Sequence, residues 1–243
     1  REPKFDFRSR FGENTNPLFR GFGNQDDDTA EQYDQPVLLR MGTEDAEELR
    51  DGFPKDAETL FNYHAIIVDD LEAGFFDTDQ LSLLLEFVRH RGGGFLMLGG
   101  QESFIKGGYQ KTLVNDLMPV YLERQVNPPM DEAAYQLLLT REGWLEPWVR
   151  IRSTEAEERE RISTMPAFQT INPVRGHKPG SIVLMQAINQ QGQKFPALVA
   201  RSYGQGRSAA LLVGDLWRWS LQRAAPEEDD LAKAWRQTLR WLV

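Results

Sequence analysis

At 243 residues, 40% hydrophobic and 27% charged, the chain is long enough to bury a proper core as one large α/β domain or two small ones. A net charge of −9 repels phosphate backbones and argues against a nucleic-acid partner. The absence of cysteine excludes disulfides, thiolate metal sites and every cysteine nucleophile.

The apolar runs HAIIV and AALLVG are too short to cross a bilayer, so no direct membrane insertion of this segment is expected. The N-terminal stretch lacks the basic and apolar regions of a signal peptide. Arg1 in place of Met marks a processed chain or a piece of a longer one, which leaves attachment elsewhere in a parent protein open.

Residues 1–35 are polar, glycine-rich and weakly periodic, and read as an irregular segment whose DDD run is a solvated loop. PVLLRM (36–41) reads as a short strand. FNYHAIIVDD (61–70) reads as a buried parallel strand ending in carboxylates. DTDQLSLLLEFVRHR (77–91) predicts a helix, with Asp77 and Gln80 spaced as a capping box. Leu81, Leu84, Leu85 and Val88 form its apolar face, and Arg89, His90 and Arg91 suit its negative end. Gly92–Gly94 stop it, FLML (95–98) is the next buried strand, and residues 65–98 together form one strand–helix–strand crossover.

Beyond it, VNDLMPVYL predicts a short helix running into a strand, and AYQLLLT another strand; residues 121–180 are expected as a less regular insertion. STEAEERERIS is charged on all sides and reads as an exposed helix or loop. Three strand-like runs, KPGSIVLMQAI, KFPALVARSY and RSAALLVGDLW, are separated by the turn sequences NQQGQ and GQG, which predicts an antiparallel meander. The last segment predicts a helix packed through Leu231, Trp235, Leu239 and Leu242. The whole chain, 1–243, reads as a single domain.

The stretch HAIIVDDLEAGFFDTDQLSLLLEFVRHRGGGFLMLGGQESFIKGGYQKTLVNDLMPV resembles the class I glutamine amidotransferase-like domains of large bacterial membrane proteins, which often also carry a von Willebrand factor A-type domain. LTREGWLEPWVRI, KPGSIVL, YGQGRSAALLVGDLWRWS and WRQTLRWLV extend the similarity over about residues 36–243. The resemblance implies a flavodoxin-like three-layer α/β sandwich with a mostly parallel central sheet, joined here to the C-terminal meander. It also implies a Cys nucleophile in the turn after the strand FLML, where an ungapped match places Met97, and a His where LLVGDLWRWS offers Asp215. Methionine forms no thioester, so no glutaminase is expected and no residue is assigned as catalytic.

The Gly99–Gly100 turn at a strand's carboxyl end reads in two ways. It is a tight reversal, or an anion-binding nest with Gln101, Glu102 and Ser103 lining a small-molecule pocket. Asp69 and Asp70, with Glu72, either cap turns and pair with Arg or hold a divalent cation; no metal and no cofactor is assigned. Ser103 lacks a Gly-x-Ser-x-Gly elbow, and His64, His90 and His177 have no partner in the sequence. Gly107, Gly108 and Tyr109 read as a turn that packs the tyrosine ring, or as a substrate clamp. Trp217, Arg218 and Trp219 alternate on a predicted strand exit, so the two rings share a side, either exposed as a protein-interaction surface or buried under the last helix.

The expected function is a non-catalytic binding or interaction module of a larger envelope-associated protein, on a membrane side left open, with other domains of the parent chain or envelope proteins as partners. The alternative is a hydrolase that uses carboxylates or a metal at the strand ends, and it requires Glu102 and the Asp69–Asp70 pair to converge.

Overall fold

The computed structural model describes residues 52–122, 134–221 and 229–243. The described residues fall, apart from the first three, in one compact unit, Lys55–Val243. The strand expected at 36–41 and the loop at 1–35 lie outside the described residues.

Within Lys55–Val243, helix α1 (Ala57–Leu60) leads into β1 (Ala65–Val68). A helical turn (Ala73–Phe75) precedes α2 (Thr78–Glu86), whose last turn widens to π geometry over Phe87–Arg91, and then comes β2 (Gly94–Leu98). Asp77 and Gln80 form the capping box in full: Asp77 accepts from the Gln80 N–H at 2.7 Å, and Gln80 accepts from the Asp77 N–H at 3.0 Å. Gly92 takes the left-handed conformation at the other end, with φ 84°. The next two glycines serve close packing: a Cβ on Gly93 would lie 2.1 Å from the Phe87 ring, and one on Gly94 2.4 Å from the Leu242 carbonyl.

Helix α3 (Val114–Leu117) follows, but the strand expected after it is only a single bridge between Val120 and His177. Residues 121–180 contribute β3 (Gln136–Leu139), α4 (Arg141–Leu145) and α5 (Glu155–Thr164). Strands β4 (Ile182–Ile188), β5 (Lys194–Tyr203) and β6 (Gly206–Leu211) form the meander, and α6 (Trp217–Leu221) and α7 (Asp230–Leu242) close the fold.

The strands form one sheet in the order β1-β2-β6-β5-β4-β3. Pairs β1–β2 and β2–β6 are parallel, whereas β6–β5, β5–β4 and β4–β3 are antiparallel. The parallel part is therefore confined to β1, β2 and β6, and β6 joins it to the meander. All five residues of β2 are buried. Leu96 and Leu98 pack with Leu198, Ala209 and Leu242 beneath α7. Ser208, on the opposite face of β6 from Ala209, donates to the Leu117 carbonyl of α3 at 2.7 Å, so helices cover both faces. The end of α7 is fixed by Trp241, whose ring stacks on Trp148 at 4.4 Å and 15°, and whose carbonyl accepts from Arg207.

Four sequence expectations are corrected. β1 lies at an edge of the described sheet, not inside it: only Val68 is buried and Ile67 is exposed. Leu239 is exposed on α7, because steps of four residues advance 400° and carry a stripe off its face by the third member. The charged segment around α5 is not exposed on all sides, since Glu158 and Arg161 are buried against each other. The segment at Trp217 is a helix, which turns successive residues by about 100° and sends the two tryptophans in different directions.

Candidate functional site

Each parallel strand runs at its carboxyl end into a loop with one strained residue. Asp70 after β1 (φ 46°), Phe104 after β2 (φ 55°) and Asp215 after β6 (φ 46°) are the non-glycine residues with positive φ among those described. Such backbone persists where surrounding contacts over-determine it, and here the contacts are visible. Asp70 Oδ1 accepts from the Glu102 N–H at 2.7 Å, which ties the exit of β1 to that of β2. The Asp215 carboxylate accepts from the N–H groups of Gln169 (2.9 Å) and Thr170 (3.2 Å) and pairs with Arg218 at 2.9 Å.

Between them lies Asn172, which sequence reasoning did not single out. It is 6% exposed; its Oδ1 accepts from the Gly100 N–H at 3.0 Å and its Nδ2 donates to the Gly100 carbonyl at 2.9 Å. The Asn172 amide thus pairs with Gly100 as a neighbouring strand would. Its only local signal is an Asn before Pro173, and its partner is 72 residues away.

The turn needs both glycines for the same reason. A Cβ on Gly99 would lie 2.7 Å from the Val213 carbonyl carbon, and one on Gly100 would lie 2.1 Å from Asp70 Oδ1. Gln101 and Glu102 are exposed, while Ser103 is fully buried with its hydroxyl meeting no partner among the described residues. Tyr109 packs as the turn reading expects: it is buried and donates to the Leu71 carbonyl at 2.7 Å. Burial first, and the charge of Glu72 second, push its phenol well above the usual range. Asp69 is also raised, through partial desolvation and then the charge of Asp70.

Met97, matched in sequence to the nucleophile, lies inside β2 and fully buried, two residues short of the turn. Among the described residues no three His, Asp or Glu side chains gather closely enough to hold a metal ion, so Asp69, Asp70 and Glu72 form no such group. The histidines are scattered. His64 is exposed just before β1, His177 is exposed at its isolated bridge to Val120, and His90 contacts Glu86 on the exposed side of α2. Trp217 is 58% exposed with Arg218 over its ring at 5.3 Å, whereas Trp219 turns inward beneath Arg161.

The site is thus a double-glycine turn at the exit of the second parallel strand of a mixed α/β sheet, tied to Asp70 on one side and Asn172 on the other. The chain belongs to the family described as "Putative glutamine amidotransferase", whose profile matches residues 38–243. Among solved structures it is similar to cytoplasmic protein STM3548 of Salmonella typhimurium, with 19% identity, TM-score 0.57, and 86% of this chain and 92% of that one covered. It is likewise similar to cytoplasmic protein STM1381 of Salmonella typhimurium LT2, with 20% identity, TM-score 0.54, and 84% and 89% covered. These likenesses establish the fold. No curated protein matches the chain.

Proposed function

We propose that the domain is a non-catalytic member of the amidotransferase-like family, a flavodoxin-like three-layer sandwich that serves as a binding or interaction module within a larger envelope-associated protein. The observation that carries the reading is Gly100. Its N–H and carbonyl are both taken by Asn172, and Asp70 fills the space where any side chain at that position would project. Two donors of an anion nest are thus spent: the Gly100 N–H on Asn172 and the Glu102 N–H on Asp70. The lack of any cysteine and the burial of Met97 in the core support the reading, since the turn then offers no thiol nucleophile. The exposed Trp217, stacked with Arg218, gives the same end of the sheet the composition of a contact surface for neighbouring domains of the parent chain.

The test is turnover. Ammonia release from glutamine, and hydrolysis of ester, phosphoester and glycoside substrates, are expected to stay at buffer rates and to be unchanged by Asp70→Asn or Ser103→Ala. Turnover that disappears in either variant would establish a working catalytic site at the strand ends and defeat the proposal.

A further inference from the structure

One space that could receive a ligand lies away from the glycine turn, where α5 approaches the first turns of α7. A cleft of about 600 Å³ opens there, bordered by Arg152, Glu157, Glu160, Trp219, Asp229 and Lys233. At its floor Arg161, Met165, Trp219 and Leu231 also line a second space, an apolar slot of about 80 Å³ running under α7 between Leu96, Leu198, Trp235 and Ala234. Those four side chains are common to the walls of both spaces. The slot has roughly the room of three waters, enough for a hydrocarbon group of about four carbons. Unfilled apolar space costs stability, and an apolar group entering from the cleft relieves that cost.

The charges select what such a group carries. Arg161, the one charged side chain of the slot, is already neutralised by Glu158 at 2.5 Å, so it offers an anion little. Arg152 is held by Asp230 in two bonds of 2.5 and 3.0 Å, and Lys233 donates to the Ile151 carbonyl. Glu157, Glu160 and Asp229 remain on the exposed rim with no basic partner among the described residues. An apolar slot at the bottom of a cleft with an acidic rim is complementary to one kind of molecule. We propose that the slot and cleft together bind a small amphipathic cation, an amine or guanidinium bearing a short hydrocarbon group. The hydrocarbon fills the slot and the cation faces Glu157, Glu160 and Asp229. This inference goes beyond the proposed function and does not depend on it, since it leaves the glycine turn untouched and can fail while the absence of turnover stands.

Three probes of one shape test it: 3-methylbutylamine, 3-methylbutanol and 3-methylbutanoate, titrated by calorimetry and by the indole N–H signals of Trp219 and Trp235. The amine is expected to bind about tenfold more tightly than the carboxylate, with the alcohol between, because three exposed charges each contribute a small increment. Shortening the amine's tail by one methylene is expected to cost about fourfold. Ala234→Leu fills the slot and is expected to abolish binding of all three probes. The rim variant Glu157→Gln, Glu160→Gln, Asp229→Asn keeps the helix cap and is expected to bring the three affinities together. A carboxylate that binds tightest, affinities that the rim variant leaves in the original order, binding that survives Ala234→Leu in a folded protein, or no response to any probe would each overturn the proposal.

Discussion

Replacing Asn172 with alanine removes both hydrogen bonds that hold Gly100 and leaves a half-buried N–H and carbonyl without a protein partner. Each bond contributes on the order of 1 kcal/mol net, and an orphaned buried partner costs more than that, so the variant is expected to lose about 2–4 kcal/mol. For a chain of this length each kcal/mol lowers Tm by roughly 2–4 °C, which gives a fall of about 4–16 °C. Urea unfolding at constant m-value, run beside a thermal scan, reads the loss directly. Asn172→Asp sharpens the test, because the carboxylate still accepts from the Gly100 N–H but sets a charge against the Gly100 carbonyl. It is expected to cost at least as much as alanine at pH 7, and to recover below pH 4, where the protonated acid can donate again. An Asn172→Ala loss under about 0.5 kcal/mol would show that the turn is held by its glycines and Asp70 alone, and would remove the main support for a turn closed from within.

Three further outcomes rest on other contacts. Gly100→Ala places a methyl against Asp70 and is expected to cost about 1–3 kcal/mol, with part of the loss recovered in Gly100→Ala/Asp70→Ala; strict additivity in unfolding titrations would refute the clash. Glu158→Ala strips the charge from buried Arg161 and the acceptor from the Ile151 and Arg152 N–H groups, for an expected loss of about 3–5 kcal/mol, whereas Glu158→Gln keeps an acceptor and loses less; equal losses would count against the backbone bonds. Asp69 has its carboxyl raised in the folded state, so its ionisation is a liability that sets in as pH rises past the ordinary carboxylate value and is complete above the raised one. Asp69→Asn is therefore expected to be more stable than the parent at pH 7, with the advantage fading as pH falls through the carboxylate range; a constant difference across pH would contradict the shift.

Local chemistry was legible at caps, stops and turns, where the partners are close in sequence. The box at Asp77 and Gln80, the stop at Gly92, the buried FLML strand and the hairpins around NQQGQ and GQG all follow from residues within a few positions of each other. What could not be read is what depends on the third dimension. The Ala65–Val68 run is as apolar as a central strand, and nothing in it reveals its place at the edge of the described sheet. Glu158 looks like any other charge in EAEERERIST, although Ile162 and Met165 beside it mark the face that turns inward. At the site, the glycine pair and Asp70 were visible as candidates, but their conversion into a closed turn depends on Asn172, which shows no periodicity and no motif. The alternation of Trp217 and Trp219 suggested a strand because period two was the only pattern there, and five residues are too few to distinguish it from a helix.

The stacked indoles of Trp148 and Trp241 give the domain an optical signal of its own. Rings 4.4 Å apart and within 15° of parallel couple their transitions, and the pair exists only while the last turn of α7 is seated over β2 and β6. Circular dichroism in the aromatic bands therefore reports docking of the C-terminal helix separately from the backbone signal of the sheet. If that helix lifts before the sheet melts, the two signals will part during unfolding, and the point at which they part measures how firmly the roof of the slot is held.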